Sequence, residues 1–327
     1  DEIQDAALAL GAPFVVEDVE PFVVERNVIY RRDLSELVSG GRGALTFGVS
    51  SAQVFAFSRE GRKMTEIVLI HGAWAGAWCW YRLIPQLQLR GYRPVPTDLP
   101  GRGRSQVKIE EATMEDFIQH VVDVLDERDG PAYLVADNIH AIPATEAAER
   151  RPNRIAGLIY LAGLFAPPGQ HHRPLDTDSM IRPGRRITHN GTVQEARADW
   201  EEDIYYHDCP PEVVAEVKGR MVPEIADLSP PVRPEPARFW PDMPKAYILS
   251  RQNRCMSLTL QRRLVEDYRL HPAIEMDTGA CPFLSDPVGL ADHMDQIIQQ
   301  MQAWAGAEDP AHVIRGEAEY KPADRRH

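Results

Sequence analysis

The sequence is short of lysine and cysteine and has no long apolar run, and each shortage closes off a class of protein. Lysine stands at only five positions, Lys63, Lys108, Lys218, Lys245 and Lys321, among 36 basic residues. A bias of this size toward arginine is what a GC-rich bacterial genome gives. Acidic residues number 49 and the net charge is −13, with no basic stretch to offset it, which argues against a nucleic-acid partner. No apolar run approaches the ~20 residues that cross a bilayer, and no signal segment stands at Asp1, whose place at the head of the chain suits a processed or trimmed start. No membrane association is expected. Cys79, Cys209, Cys255 and Cys281 form no C-x-x-C pair, which favours a reducing, cytoplasmic setting and argues against structural zinc. His171, His172, His189 and His207 are too irregularly spaced for a metal site, and neither a dinucleotide fingerprint nor a P-loop is present. No metal and no cofactor are expected.

What is there begins with a core. The chain has 327 residues, 43% of them hydrophobic, enough for one large domain with an appendage. Ile67-Val68-Leu69-Ile70 reads as a short buried strand that runs into His71-Gly72-Ala73-Trp74-Ala75-Gly76-Ala77-Trp78-Cys79-Trp80, followed by a helix-length stretch from Trp80 to Leu89. Tyr92 to Asp98 is a second strand, breaking into Leu99-Pro100-Gly101-Arg102-Gly103-Arg104-Ser105. These HGAWxGAWxW and DLPGxGxS segments resemble the α/β-hydrolase superfamily, in the branch of hydroxynitrile lyases, plant methylesterases and their bacterial relatives. The resemblance implies an α/β-hydrolase fold: a mostly parallel sheet flanked by helices, over residues 64–304, with a helical cap at about 165–243. Residues 1–63 form a β-containing extension outside it, and residues 305–327 a polar tail. Met64 stands where many stand-alone members begin.

Within that resemblance, all three positions of a Ser-His-Asp triad hold other residues. The strand Ala132-Tyr133-Leu134-Val135 precedes Ala136-Asp137-Asn138-Ile139-His140-Ala141, where the pattern G-x-S-x-G places the nucleophile at Asn138. An amide cannot yield an attacking oxyanion to a neighbouring base, although asparagine tolerates the positive φ of such an elbow. His140 takes the place of a glycine, so a displaced helix start is expected. After the strand Lys245 to Ser250, Asn253 stands at the acid position, and after Ile274-Glu275-Met276 the DTGHSPFLS-like turn carries Ala280 at the histidine position. Ordinary triad hydrolysis is therefore not expected. Cys255 and Cys281 read as structural thiols, and His71 as a structural residue of its turn.

The resemblance also implies an oxyanion hole built from backbone N–H groups, here of Ala73 or Trp74 and of Ile139, which does not depend on side-chain identity. Asp137 and His140 flank the elbow as a candidate proton-transfer pair, provided that both face the pocket. Trp200, Tyr205 and Trp240, with Tyr206, His207, Met221 and Phe239, give the cap a set of rings suited to a hydrophobic ligand. In the extension, Phe14 to Glu25 and Asn27 to Arg31 have β-like runs, and Ala44 to Val49 with Gln53 to Phe57 form a hairpin around Ser50-Ser51. Residues 1–63 are read as an arm for a homodimer or a partner protein. Two functions from different classes stand open: a non-hydrolytic cyclase, lyase or isomerase acting on an aromatic or polyketide-like molecule of secondary metabolism, and a pseudoenzyme that binds a ligand or an assembly partner. An esterase with a displaced nucleophile, Ser285 or Ser105, is a third.

Overall fold

The computed structural model describes residues 64–103, 105–168, 186–197, 200–229 and 237–305, and the backbone of 47–49 and 52–54. The chain divides into two compact units, Asp1–Met64 and Thr65–His327. In the first, β1 (Phe47–Val49) pairs antiparallel with β2 (Ala52–Val54), Phe47 opposite Val54 and Val49 opposite Ala52. This antiparallel pairing lies within the hairpin expected from the sequence, whose Ser50 and Ser51 lie outside the described residues. The β-like runs at 14–31, the tail at 306–327, and His171 and His172 lie outside the described residues.

The second unit is built on β3 (Thr65–Ile70), β4 (Tyr92–Thr97), β5 (Ala132–Asp137) and β6 (Ile155–Leu161). The roof segment then adds β7 (Arg186–Thr188), β8 (Val193–Glu195) and β9 (Glu224–Ile225), and the chain returns through β10 (Lys245–Ser250) and β11 (Ala273–Met276). The main sheet has the order β11-β10-β6-β5-β3-β4, every pairing parallel. Ile67 to Ile70 are wholly buried, as continuous apolar strands of a sheet covered on both faces must be. Pro94 and Pro96 sit in β4, which pairs only with β3; an edge strand is where a residue lacking an N–H is tolerated.

Helices cover the sheet: α1 (Leu83–Leu89), α2 (Met114–Asp126), α3 (Ala141–Arg150), α4 (Pro211–Val217), α5 (Leu258–Tyr268), α6 (Pro282–Ser285) and α7 (Pro287–Ala305). Helix α2 starts at a capping box, in which Thr113 Oγ1 accepts from Asp116 N–H at 3.2 Å and Asp116 Oδ2 accepts from Thr113 N–H at 2.8 Å. It buries Phe117, Ile118, Val121, Val122 and Leu125, a stripe at helical spacing. Helix α3 is buried on nearly every side, and its alanines let it lie close to α2 and the sheet.

The cap corrects one expectation. Among its described residues the cap, expected to be helical, carries an antiparallel sheet in the order β7-β8-β9, with a π-helical turn at Glu201–Tyr205 and the short α4. Strands of two or three residues leave no readable alternation in a proline- and arginine-rich segment, so the sequence pattern could not show them.

Candidate functional site

The chain runs from β3 to β4 on one side and returns to β5 on the other. The carboxyl ends of β3 and β5 thus form the crevice in which ligands of open α/β sheets bind. There the sequence places its two most constrained turns. Asn138 follows β5 directly with φ 52°, and Trp74 follows β3 with φ 57°, left-handed conformations that ordinary side chains avoid. The turns lie so close that a Cβ on Gly72 would meet Asp137 Oδ2 at 2.3 Å; only glycine permits that approach.

Ala73, Trp74, Ala75, Trp78 and Cys79 form one jaw of the pocket, Asp137 and Asn138 the floor, Ala280, Cys281, Phe283 and Leu284 the far wall, and Tyr205, Tyr206 and Met221 the roof. The free interior is only about 20 Å³, space for on the order of one water molecule. The Trp74 ring, edge-on to Trp200 and to Tyr205 at 6.0 Å each, accounts for part of this tightness, and its indole Nε1 has no hydrogen-bond partner.

The floor is electrostatically simple. The Asn138 carboxamide oxygen accepts from Ile139 N–H at 2.7 Å, so one of the two expected oxyanion-hole donors is already taken by the elbow residue's own side chain. A short 3₁₀ turn at Asn138–His140 precedes α3, the displaced helix start expected from a bulky residue at 140. Asp137 is buried and its pKa is pushed well above the ordinary carboxyl range by that burial, against backbone hydrogen bonds at Gly72 and Asn138 that favour the anion. Burial thus favours its protonated form, which can donate a hydrogen bond. Burial, followed by the proximity of Asp137, raises the Cys79 and Cys281 thiols well above their usual value, which removes the thiolate a nucleophile needs. Burial also pushes the Tyr205 and Tyr206 hydroxyls up. The wall therefore offers neutral donors and no assigned base.

Other expected site residues fall elsewhere. His140 does not face the pocket: it is fully buried, with Nδ1 2.7 Å from the His71 carbonyl oxygen and Nε2 3.0 Å from Glu224 Oε2. This corrects the expected Asp137–His140 pair, because the ring turns behind the elbow to meet charge from the roof. Trp240 is likewise absent from the wall. Its Nε1 donates to Tyr160 OH at 2.9 Å, its backbone N–H donates to Glu149 Oε2 at 2.7 Å, and Lys245 Nζ lies 4.6 Å from its ring centroid, so it packs the turn that leads into β10. Trp200 backs Trp74 without lining the pocket. Asn253 caps the turn after β10, its Oδ1 accepting from Cys255 N–H at 2.8 Å and Met256 N–H at 3.0 Å. Of the three suspected triad positions, only Asn138 and Ala280 reach the pocket wall.

His71 is neutral as well as buried. Its Nε2 accepts from Leu99 N–H at 3.2 Å, which leaves Nδ1 to donate to Gly72 O at 2.9 Å, and burial, with the charges of Arg102 and His140, lowers its pKa well below the usual value. Phe283, Leu284 and Ala75 were not singled out from sequence, and nothing marks them there beyond their place in the two recognisable turns. Among the described residues no cluster of three or more His, Cys, Asp or Glu side chains could hold a metal ion, and no helix is long and apolar enough to cross a membrane.

Comparisons with known proteins fit this geometry. A model of the "Alpha/beta hydrolase family" matches residues 67–293. Methylesterase 9 of Arabidopsis thaliana is 24% identical over 260 residues, 72% of this chain and 98% of that relative. A pyrethroid hydrolase of Sphingobium wenxiniae is 24% identical over 284 residues, 78% of this chain and 98% of that one. Among solved structures, polyneuridine aldehyde esterase superposes with a TM-score of 0.64 at 18% identity, covering 72% of this chain and 99% of its own.

Proposed function

The chain belongs to the alpha/beta hydrolase family, and from that premise we propose that it is a non-hydrolytic member, a lyase-, isomerase- or cyclase-type enzyme that takes a small apolar carbonyl compound and moves one proton through Asp137. The observation that carries this reading is the elbow itself. The residue there is Asn138, with its own amide oxygen seated on Ile139 N–H, and the far wall presents Ala280 where a histidine would have to stand. In this reading Asn138, Asn253 and Ala280 are the three replaced positions of a Ser-His-Asp triad. A carboxyl held neutral by burial can donate to an oxygen on which charge develops, and the unpartnered Trp74 indole N–H is a second donor for the same acceptor. The hydrolase names of the relatives describe chemistry that needs a nucleophile and a base, and this pocket supplies neither in the expected place.

Turnover of a panel of aromatic ketones, β-keto acids and β-dicarbonyl compounds, followed by mass spectrometry, tests the proposal. Activity that falls in Asp137→Asn while the fold is retained supports it; hydrolysis of p-nitrophenyl acetate by the unaltered protein at an enzymatic rate overturns it. Restoring Asn138→Ser, Asn253→Asp and Ala280→His together is expected to create esterase activity. A pseudoenzyme that binds a ligand or an assembly partner is the second reading; the small free interior favours the assembly partner, and binding from the same panel without turnover selects the ligand-binding form. Residues 1–63 are proposed as the arm for a second copy or a partner; light scattering with and without them checks this. Cysteine usage supports a cytoplasmic setting, and the arginine bias a bacterial source.

A further inference from the structure

Behind the elbow lies a buried ionic cluster that the proposed chemistry does not use. Glu224, in β9 of the roof, is wholly inaccessible. Its Oε2 pairs with Arg102 Nη2 and stands 3.0 Å from His140 Nε2, while its Oε1 accepts from Ile225 N–H at 2.9 Å. Both partners belong to the core, Arg102 to the loop after β4 and His140 to the elbow, and both reach carbonyls of the segment that follows β3. Arg102, in the loop after β4, donates from Nε to the Ala75 carbonyl at 3.0 Å and from Nη1 to the Pro100 carbonyl at 3.2 Å. His140, one turn beyond the elbow, reaches the His71 carbonyl with Nδ1 at 2.7 Å. Phe117 closes the cluster, 5.3 Å from the Arg102 guanidinium and 5.4 Å from the His140 ring.

The roof around Glu224 is tied in the same direction. Val222 N–H donates to the Trp74 carbonyl at 2.9 Å, and Gln194 Nε2, on β8, donates to the Ile225 carbonyl at 2.8 Å. Met221 and Trp74, which bracket this connection, are both pocket walls. A glycine at 140, as in the G-x-S-x-G pattern, would leave Glu224 with Arg102 alone and cut the tie between roof and elbow.

We propose that Glu224 is a latch, one roof carboxylate held by Arg102 from the loop after β4 and by His140 from the elbow, which fixes the cap on the floor and sets the size of the pocket interior. The latch is independent of what the pocket does. It concerns which ligands fit: with the roof held down, the interior stays at about 20 Å³, and a bulky ligand enters only if β9 lifts.

Hydrogen exchange on the full chain tests it, comparing the unaltered protein with Glu224→Gln and His140→Gly. The latch predicts that amides at 193–195 and 222–226 exchange at least ten-fold faster in both variants while those of β3, β5 and β6 keep their rates. It also predicts that 1-anilinonaphthalene-8-sulfonate, excluded from the unaltered protein, binds one equivalent per chain in the variants. Equal acceleration of roof and sheet, unchanged roof amides, or no gain in dye binding overturns the proposal. Should Glu224→Gln fail to fold, His140→Gly keeps the Arg102–Glu224 pair charge-matched and decides by the same two readouts.

Discussion

Asp137 and His140 stand three residues apart on the same turn, both buried, and they meet opposite fates. Asp137 finds no cation, so burial keeps its proton on. The two nitrogens of His140 lie against oxygens of other segments, the His71 carbonyl and the Glu224 carboxylate. Its partner Glu224 shows the matching effect: burial alone would raise its pKa, but the His140 and Arg102 charges overcome that and bring it down to about 2. Two buried titratable groups of one turn therefore differ because of what another element brings to them, not because of depth. Asp137 faces the pocket, where burial favours its protonated form; His140 is committed to the architecture.

The largest effect expected from breaking this contrast is at the charged end. Glu224→Gln leaves Arg102 and His140 buried against a neutral amide, and unpairing a buried charge costs about 3–5 kcal/mol, read from the guanidinium unfolding midpoint. Its pH dependence sharpens the case. A carboxylate with a depressed pKa contributes stability that is complete above its ordinary pKa of 4.5 and is lost as pH falls toward about 2. The unaltered protein should therefore lose stability through that acid window, and the variant should show a flatter curve there.

A smaller effect is expected at the elbow backbone. Asn138→Ala keeps φ at 52° without the side-chain oxygen that accepts from Ile139 N–H, and a loss of roughly 1–3 kcal/mol is expected from the left-handed strain and the orphaned donor together. Asn138→Gly should cost less than alanine, since it removes the strain and loses only the hydrogen bond; equal losses would mean that the backbone is not strained.

At the neutral end the sign reverses. Because the Asp137 pKa is raised in the folded state, its favourable contribution is complete at low pH and is lost as pH climbs above the usual carboxyl range. Asp137→Asn, which mimics the protonated acid, should match the unaltered protein in Tm at pH 4 and exceed it at pH 8; coincident curves would show that Asp137 ionises freely. The smallest effect is at the surface. Arg186 pairs with Glu195 on the exposed face of the roof sheet, and Glu195→Gln should leave the unfolding midpoint almost unchanged, which sets the scale against which the buried cluster is judged.

Much of the core could be read ahead of the structure, because parallel strands buried on both faces must be near-continuous apolar runs. Ile67 to Ile70, Ala132 to Val135 and Lys245 to Ser250 were each legible for that reason, and the pairing of β1 with β2 followed from two β-like runs. The elbow was legible as well, since a strand that breaks into a positive-φ residue leaves a local signature. The roof was not. Its strands are two or three residues long, and the partners of its buried Glu224 come from far along the chain, Arg102 being 122 residues away.

The sequence by itself determined the sheet, the two sharp turns at the carboxyl ends of β3 and β5, and the presence of an amide, Asn138, at the second of them, because each is a matter of local pattern and residue chemistry. The tertiary structure alone decided which of Asp137 and His140 faces the pocket, that Trp240 packs the entry to β10, and that the Asn138 side chain occupies its neighbour's N–H. Those outcomes depend on which groups meet across distant segments, and the protonation of a buried side chain is set by its partners in space rather than by its neighbours in the chain.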